Sequence, residues 1–107
     1  MGTSWEGWVI EQILIYLKQH DLSHDASFVR TKEGLEADLV LDLGRERWAL
    51  EVKFTSEPSS EDPRVLEKAG ALVKATRLAL ICRVTAPVDA GRTKILPLKD
   101  FLSLLTP

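Results

Sequence analysis

Residues 36–54, EADLVLDLGRERWALEVKF, decide the fold. They contain two segments in which apolar and polar residues largely alternate, and a turn separates the segments. The turn at Gly44-Arg45 predicts a β-hairpin with strands over 36–43 and 47–54. Side chains of a strand point alternately to its two faces, and one face of this hairpin is apolar throughout. It comprises Ala37, Leu39, Leu41, Leu43, Trp48, Leu50, Val52 and Phe54. We expect this face to lie in the core.

The second face of the hairpin is mostly charged. It comprises Glu36, Asp38, Val40, Asp42, Arg47, Ala49, Glu51 and Lys53. A two-residue turn sets Asp38 opposite Glu51, whereas a four-residue loop sets Asp38 opposite Lys53. A half-solvated hairpin commonly has such a face, but Val40 and Ala49 at its centre predict that something covers it. Crowded carboxylates destabilise paired strands unless a cation lies between them.

The charged face suggests a chemistry. Two carboxylates on adjacent strands can bind Mg²⁺, which keeps several waters. The ion activates a bound water and offsets the charge that develops during phosphodiester hydrolysis. Lys53, two residues after Glu51, can orient that water or stabilise the developing charge. The pattern therefore favours Asp38 and Glu51 as metal ligands and Lys53 as a catalytic group.

The segment before the hairpin predicts a helix over residues 4–18 and a strand over 26–31. Glu6 falls on the inward stripe of this helix, in line with Ile10. One interpretation gives Glu6 a role in the site, as a catalytic residue and metal ligand. The other is a capping box in which Glu6 bonds back to the amide of Thr3.

The segment after the hairpin predicts a second helix, with Pro63 as its first residue. The continuous apolar run at 77–84 predicts a strand covered on both faces, parallel to a neighbour because a crossover helix precedes it. We expect a short edge strand over 93–96 and a terminal helix over 97–105. The predicted fold is an α/β domain with a mixed central sheet flanked by helices.

Composition limits the class of protein. The 107 residues, 45% of them hydrophobic, suit a single domain spanning 1–107. No apolar run is long enough for a membrane span and no secretory signal is visible. A single cysteine, Cys82, rules out an internal disulfide and fits the cytoplasm. Residues 1–62 carry 13 acidic and 6 basic residues, and 63–107 carry 3 and 8. This asymmetry indicates either an acidic site beside a basic surface or chance.

Asp38, twelve intervening residues and Glu51-Val52-Lys53 resemble the motif of the PD-(D/E)xK nuclease superfamily. That resemblance implies a restriction-endonuclease-like αβββαβ core and a Mg²⁺- or Mn²⁺-dependent endonuclease acting on nucleic acid, with DNA expected. Nucleases of this fold commonly act as dimers, so a homodimer is compatible with the resemblance.

A closer resemblance covers residues 5–85. WEGWVIEQIL, FVRTKEGLEADLVLDL and ALEVKFT are similar to the C-terminal nuclease-like domain of bacterial and archaeal ATPases of unknown function. It implies a site of Asp38, Glu51 and Lys53, with Glu6 and Glu36 contributing. These 107 residues contain no P-loop motif. The alternative function is a catalytically inactive nuclease-fold module that partners an ATPase, in which the acidic cluster is a relic or an ion-pair network.

Overall fold

The computed structural model describes residues 4–106. In these residues three helices flank one mixed sheet of six strands, so the predicted α/β class is confirmed. The helices are α1 (Trp5–Gln19), α2 (Glu61–Leu72) and α3 (Leu98–Leu105). The strands are β1 (Asp25–Arg30), β2 (Glu36–Asp42), β3 (Arg47–Val52), β4 (Arg77–Ile81), β5 (Val88–Ala90) and β6 (Thr93–Leu96).

The strand order across the sheet is β1-β2-β3-β4-β6-β5. Strands β1, β2 and β3 are antiparallel neighbours, and β4 runs parallel to β3 after the α2 crossover, as predicted. The prediction that 93–96 is an edge strand is wrong. β6 lies between β4 and β5 because the short, unpredicted β5 pairs along its outer side. β5 is mostly exposed and lacks the apolar alternation that would reveal a strand.

The β2–β3 hairpin closes with a two-residue turn. Asp42 pairs with Arg47, and the Leu43 amide donates to the Glu46 carbonyl at 2.8 Å. Gly44 takes a φ of 89°, a conformation that glycine adopts without steric cost. Of the two registers that the sequence left open, the structure adopts the two-residue turn.

A β-bulge interrupts the pairing of β1 with β2. Ser27 lies opposite Val40 and Val29 lies opposite Ala37, so two β2 residues face one β1 residue. Because of the extra residue, the Ala37 side chain near the start of β2 points to the opposite face of the sheet from the one that strict alternation would give it. Ala37 consequently packs with Val40 and not with the opposite face, where the sequence pattern predicted it.

Each face of the sheet has its own core. The face toward α1 and α3 buries thirteen residues: Val9, Ile13, Leu17, Leu39, Leu41, Trp48, Leu50, Val52, Ala79, Ile81, Leu96, Phe101 and Leu105. The face toward α2 buries Ala37, Val40, Ala49, Leu66, Ala69 and Leu78. Helix α2 therefore covers the charged face of the hairpin, as Val40 and Ala49 predicted. Phe54, predicted to be core, is 56% exposed because β3 ends at Val52.

The helix starts differ from the prediction in two places. α2 begins at Glu61, so Pro63 is its third residue and not its first. At α1 the N-cap is Ser4, whose Oγ accepts a hydrogen bond from the Gly7 amide at 3.0 Å. The predicted capping box depends on Thr3, which lies outside the described residues. Within residues 4–106 no helix is both long and apolar enough to cross a membrane.

Candidate functional site

The candidate site lies at the end of the β2–β3 hairpin that is far from its turn. The backbone pairs of these strands run from Asp42–Arg47 to Leu39–Leu50 and then stop. Beyond that point Oδ2 of Asp38 accepts a hydrogen bond from the Val52 amide at 2.9 Å. The carboxylate thus satisfies a donor that the separating strand leaves unpaired, which fixes the side chain.

Glu51 is the most perturbed acid of the site. Its Oε1 atom is buried and has no hydrogen-bond partner among the described residues. Burial, followed by repulsion from Asp38 and Glu36, raises the pKa of Glu51 to about 8, although nearby Lys53 acts in the opposite direction. A buried carboxylate oxygen without a donor is stable only with a proton or a cation beside it. At neutral pH a proton on Glu51 meets this need, and its carboxylate form, with that of Asp38, is of the type that could hold a divalent metal ion.

Lys53 lies on the same side of the sheet and contacts α2. Its Nζ donates to Oδ1 of Asp62 at 2.9 Å. This hydrogen bond is the main cause that raises the pKa of Lys53, so the amine is a cation at neutral pH. A lysine ammonium has three donors, and this contact uses one of them.

Asp62 is a residue of the site that sequence reasoning missed. It lies in the first turn of α2, and its Oδ2 accepts a hydrogen bond from the Ser59 amide at 2.9 Å. The Ser-x-x-Asp spacing from Ser59 was the available signal, because a capping pattern fixes the orientation of an acid at a helix start. What the sequence could not supply is that the acid would meet Lys53.

A cavity of about 120 Å³ opens between the hairpin and α2. Its lining consists of Gly34, Glu36, Glu51, Lys53, Asp62, Val65 and Leu66. This volume holds about four water molecules, since each occupies about 30 Å³ in the liquid. Glu36 reaches the cavity from β2 and also lies 3.6 Å from the Arg30 guanidinium in an exposed ion pair. Such exposed pairs contribute little to stability.

Glu6 approaches from the α1 side. Its Oε2 accepts a hydrogen bond from the amide of Phe54, the residue that follows Lys53, at 3.2 Å. Across residues 4–106, no three or more His, Cys, Asp or Glu side chains form a group that could hold a metal. The structure thus brings Asp38, Glu51 and Lys53 together, while the metal roles of Asp38, Glu51 and Glu6 all stay predictions.

Comparison with known proteins identifies the family. The family described as "Domain of unknown function (DUF4143)" matches residues 1–101, and the chain belongs to it. Two mycobacterial proteins are each 33% identical over 81 residues, which is 76% of this chain. They are the uncharacterized proteins Mb2031c of Mycobacterium bovis and Rv2008c of Mycobacterium tuberculosis. The matched segment spans only 17% of the length of each. No solved structure matches the chain.

Proposed function

We propose that this member of the DUF4143 family is a metal-dependent nuclease that hydrolyses phosphodiester bonds of nucleic acid, with DNA as the expected substrate. The observation that carries the proposal is the buried, unpartnered Oε1 of Glu51 beside the carboxylate of Asp38. Two acids and a lysine at one strand end match the group of residues that phosphodiester cleavage requires.

Asp38 and Glu51 would hold Mg²⁺ or Mn²⁺. Mg²⁺ is commonly bound through one or two carboxylates plus water and substrate phosphate, so two protein ligands suffice. When bound, such an ion supplies an activated water and neutralises charge on the phosphate. Glu51 would have to lose its proton to hold such an ion, because only the carboxylate form is a ligand.

The position of the Lys53 ammonium is fixed by its contact with Asp62. Asp62 holds the ammonium at 2.9 Å, which leaves donors for a phosphate oxygen or for the attacking water. Since the lysine is partly buried, its charge acts more strongly on the substrate there than it would in bulk water. Lys53 therefore stabilises negative charge that develops on the phosphate.

The order of elements supports the same proposal. α1, β1, β2, β3, α2 and β4 follow the αβββαβ order expected of a restriction-endonuclease-like core. We infer that fold for this chain, with a cytoplasmic location and a homodimer as the working form. An ATPase partner is suggested only by the resemblance of residues 5–85 to the nuclease-like domain of ATPases, since the curated relatives, of which the chain spans 17%, are uncharacterized.

DNA cleavage by the wild type and by a variant without the Glu51 carboxylate tests the function. Wild-type protein with Mg²⁺ or Mn²⁺ should nick supercoiled plasmid or cut single-stranded oligonucleotide, and EDTA should stop it. Glu51→Gln should reduce the rate at least about 100-fold because it removes a metal ligand. Glu57→Gln, an exposed loop acid, is the matched control and should cut at the wild-type rate. Equal cleavage by wild type and Glu51→Gln would refute the proposal.

One observation favours the second candidate, a non-catalytic module that binds or regulates an ATPase. The described residues contain no cluster of three or more potential metal ligands. In that case the Lys53–Asp62 pair would only join β3 to α2. No cleavage of plasmid, branched DNA or RNA in the presence of Mn²⁺ would favour this candidate.

A further inference from the structure

We propose that Trp5, Phe54 and Arg83 form a stacking platform for an unpaired base of a nucleic-acid strand, beside the carboxylate site. The inference rests on the proposed nuclease function and deepens it, because it assigns the substrate class as single-stranded or unpaired nucleic acid. It goes beyond the nuclease motif, which includes none of these three side chains.

The three side chains contact one another in series, from Trp5 through Phe54 to Arg83. The rings of Trp5 and Phe54 have centroids 5.5 Å apart at an interplanar angle of 53°. The Arg83 guanidinium lies over the Phe54 ring, with its Cζ 4.9 Å from the ring centroid. The series therefore ends in a cation that is itself planar, and an arginine plane of this kind stacks readily on bases.

Phe54 and Arg83 are the exposed part of the platform, whereas Trp5 is half-buried against the core. Phe54 is 56% exposed and Arg83 is also exposed. The Arg83 amide donates to the Thr55 carbonyl at 2.7 Å, and the Phe54 amide donates to Glu6 at 3.2 Å. An aromatic ring kept in water at a fixed position loses apolar burial that it could have gained in the core. A ligand with a flat, apolar face would recover this burial.

The position of the platform indicates which ligand that is. Phe54 directly follows Lys53, and because consecutive side chains along a strand point to opposite sides, Phe54 contacts Trp5 of α1 while Lys53 contacts α2. The platform and the carboxylate site therefore lie on opposite sides of the same end of β3. A single strand that passes around this end can place a phosphate at Lys53 and a neighbouring base at Phe54 or Arg83. In a duplex the base faces are covered by neighbouring bases, so only an unpaired base can stack there.

Arg83 also supplies the charge that a nucleic-acid strand requires. Arg83 is a cationic side chain, and it is exposed while its guanidinium contacts Phe54. Sequence reasoning missed the platform because Arg83 follows β4 while Phe54 follows β3. Parallel pairing of these strands brings the two residues together.

Binding without cleavage tests the platform independently of the nuclease activity. The probe is a single-stranded oligonucleotide of about twelve nucleotides carrying 2-aminopurine, compared with its duplex in EDTA. Wild-type protein should bind the single strand more tightly and quench its fluorescence. Phe54→Leu and Arg83→Lys should each weaken that binding about tenfold, the effect of one lost stacking contact. Duplex binding should change less.

Phe28→Leu is the matched control, since Phe28 is 70% exposed on β1, and it should bind like wild type. Thermal unfolding of each variant verifies that it folds. Unchanged single-strand binding by Phe54→Leu, or tighter binding of the duplex by wild type, would overturn the platform. Platform-dependent binding without metal-dependent cleavage would support the platform while refuting the nuclease proposal. Metal-dependent cleavage by the wild type, together with unchanged binding by Phe54→Leu, would support the nuclease proposal and refute the platform.

Discussion

The two ends of the β2–β3 hairpin carry charges on the same face but differ in how those charges are compensated. At the turn end, Asp42 and Arg47 are paired residues whose side chains meet at 2.7 Å. The hydrogen bond from Arg47 lowers the pKa of Asp42 below its ordinary value. At the other end, burial and neighbouring carboxylates raise the pKa of Glu51 to about 8.

The openings at the two ends differ in the same way. A depression of about 500 Å³ adjoins the turn end, where Arg47 also donates to the Val73 carbonyl at 2.8 Å. The cavity at the Glu51 end is only about 120 Å³. Three buried side-chain polar atoms in residues 4–106 lack a partner, and Glu51 Oε1 is the carboxylate oxygen among them. A buried carboxyl oxygen without a hydrogen-bond partner, and not the size of the opening, therefore marks the candidate site.

The largest expected difference between the two ends is in metal binding. Glu51→Gln should weaken Mn²⁺ binding at least about 100-fold, because it removes one of the two carboxylates proposed to hold the ion. Asp42→Asn should bind Mn²⁺ like wild type, since Arg47 already neutralises that carboxylate. Isothermal titration calorimetry measures both. Equal losses of Mn²⁺ affinity in the two variants would mean that the ion binds non-specifically to acidic surface. The proposed difference between the two ends of the hairpin would then be wrong.

The second-largest expected effect is the pH dependence of Mn²⁺ binding at the Glu51 end. Below about pH 8 Glu51 is mostly protonated in the folded protein. Mn²⁺ must displace this proton, so the apparent affinity should rise about tenfold per pH unit until about pH 8. Calorimetry in two buffers of different ionisation enthalpy should detect about one proton released per ion. A pH-independent affinity between about pH 6 and pH 8 would contradict the assignment of Glu51 as a ligand.

Without metal, substitutions at the two ends should change the free energy of unfolding in opposite directions. Folded Glu51 binds a proton between its ordinary pKa of 4.5 and about 8, whereas the unfolded chain does not, so stability falls as pH rises through that window. Glu51→Gln should therefore raise the free energy of unfolding at about pH 8.5 by roughly 1–2 kcal/mol, a value reduced for solvent screening. Below about pH 4.5 the gain should vanish. Urea unfolding of both proteins measures this.

Asp42→Asn should act in the other direction. The lowered pKa of Asp42 means that its pairing stabilises the fold above its ordinary value of 3.8 and is lost as pH falls through the folded pKa. The variant should be less stable than wild type at neutral pH and equal to it in strong acid. A loss of the same sign in Glu51→Gln would show that both ends are structural ion-pair networks.

The smallest expected effect concerns Asp62. Asp62→Asn keeps a side chain that can contact Lys53 but removes the charge, so the pKa of Lys53 should fall and cleavage should slow about threefold to tenfold. The pH–rate profile should lose activity at a lower basic pH than that of wild type. Glu61→Gln, an exposed neighbour in the same helical turn, is the control. An unchanged profile for Asp62→Asn would leave Asp62 with a structural role only.

The local patterns of the chain were sufficient for much of the fold. Alternation over 36–54 predicted the hairpin, and apolar spacing predicted α1 and α3 to within a residue or two at each end. These elements are set by side-chain period and turn chemistry, which a short window contains. The proximity of Asp38, Glu51 and Lys53 followed from the same two-residue period.

Other parts of the site depended on contacts between distant segments. Lys53 meets Asp62 only because α2 crosses the sheet, and Arg83 meets Phe54 only because β4 runs parallel to β3. The bulge that turns Ala37 toward α2 needs an extra residue in β2, and no residue type announces it. Each of these features was absent from the sequence prediction for that reason.

The sequence by itself determined the hairpin, its charged face and the candidate acids, because strand period and turn residues act over a few positions. Only the tertiary structure decided which charges are compensated. Partners such as Arg47 for Asp42 are neighbours in a ladder, but burial under α2 and the orphaned oxygen of Glu51 arise from packing. Electrostatic free energy depends on distance and desolvation, and a linear sequence contains neither.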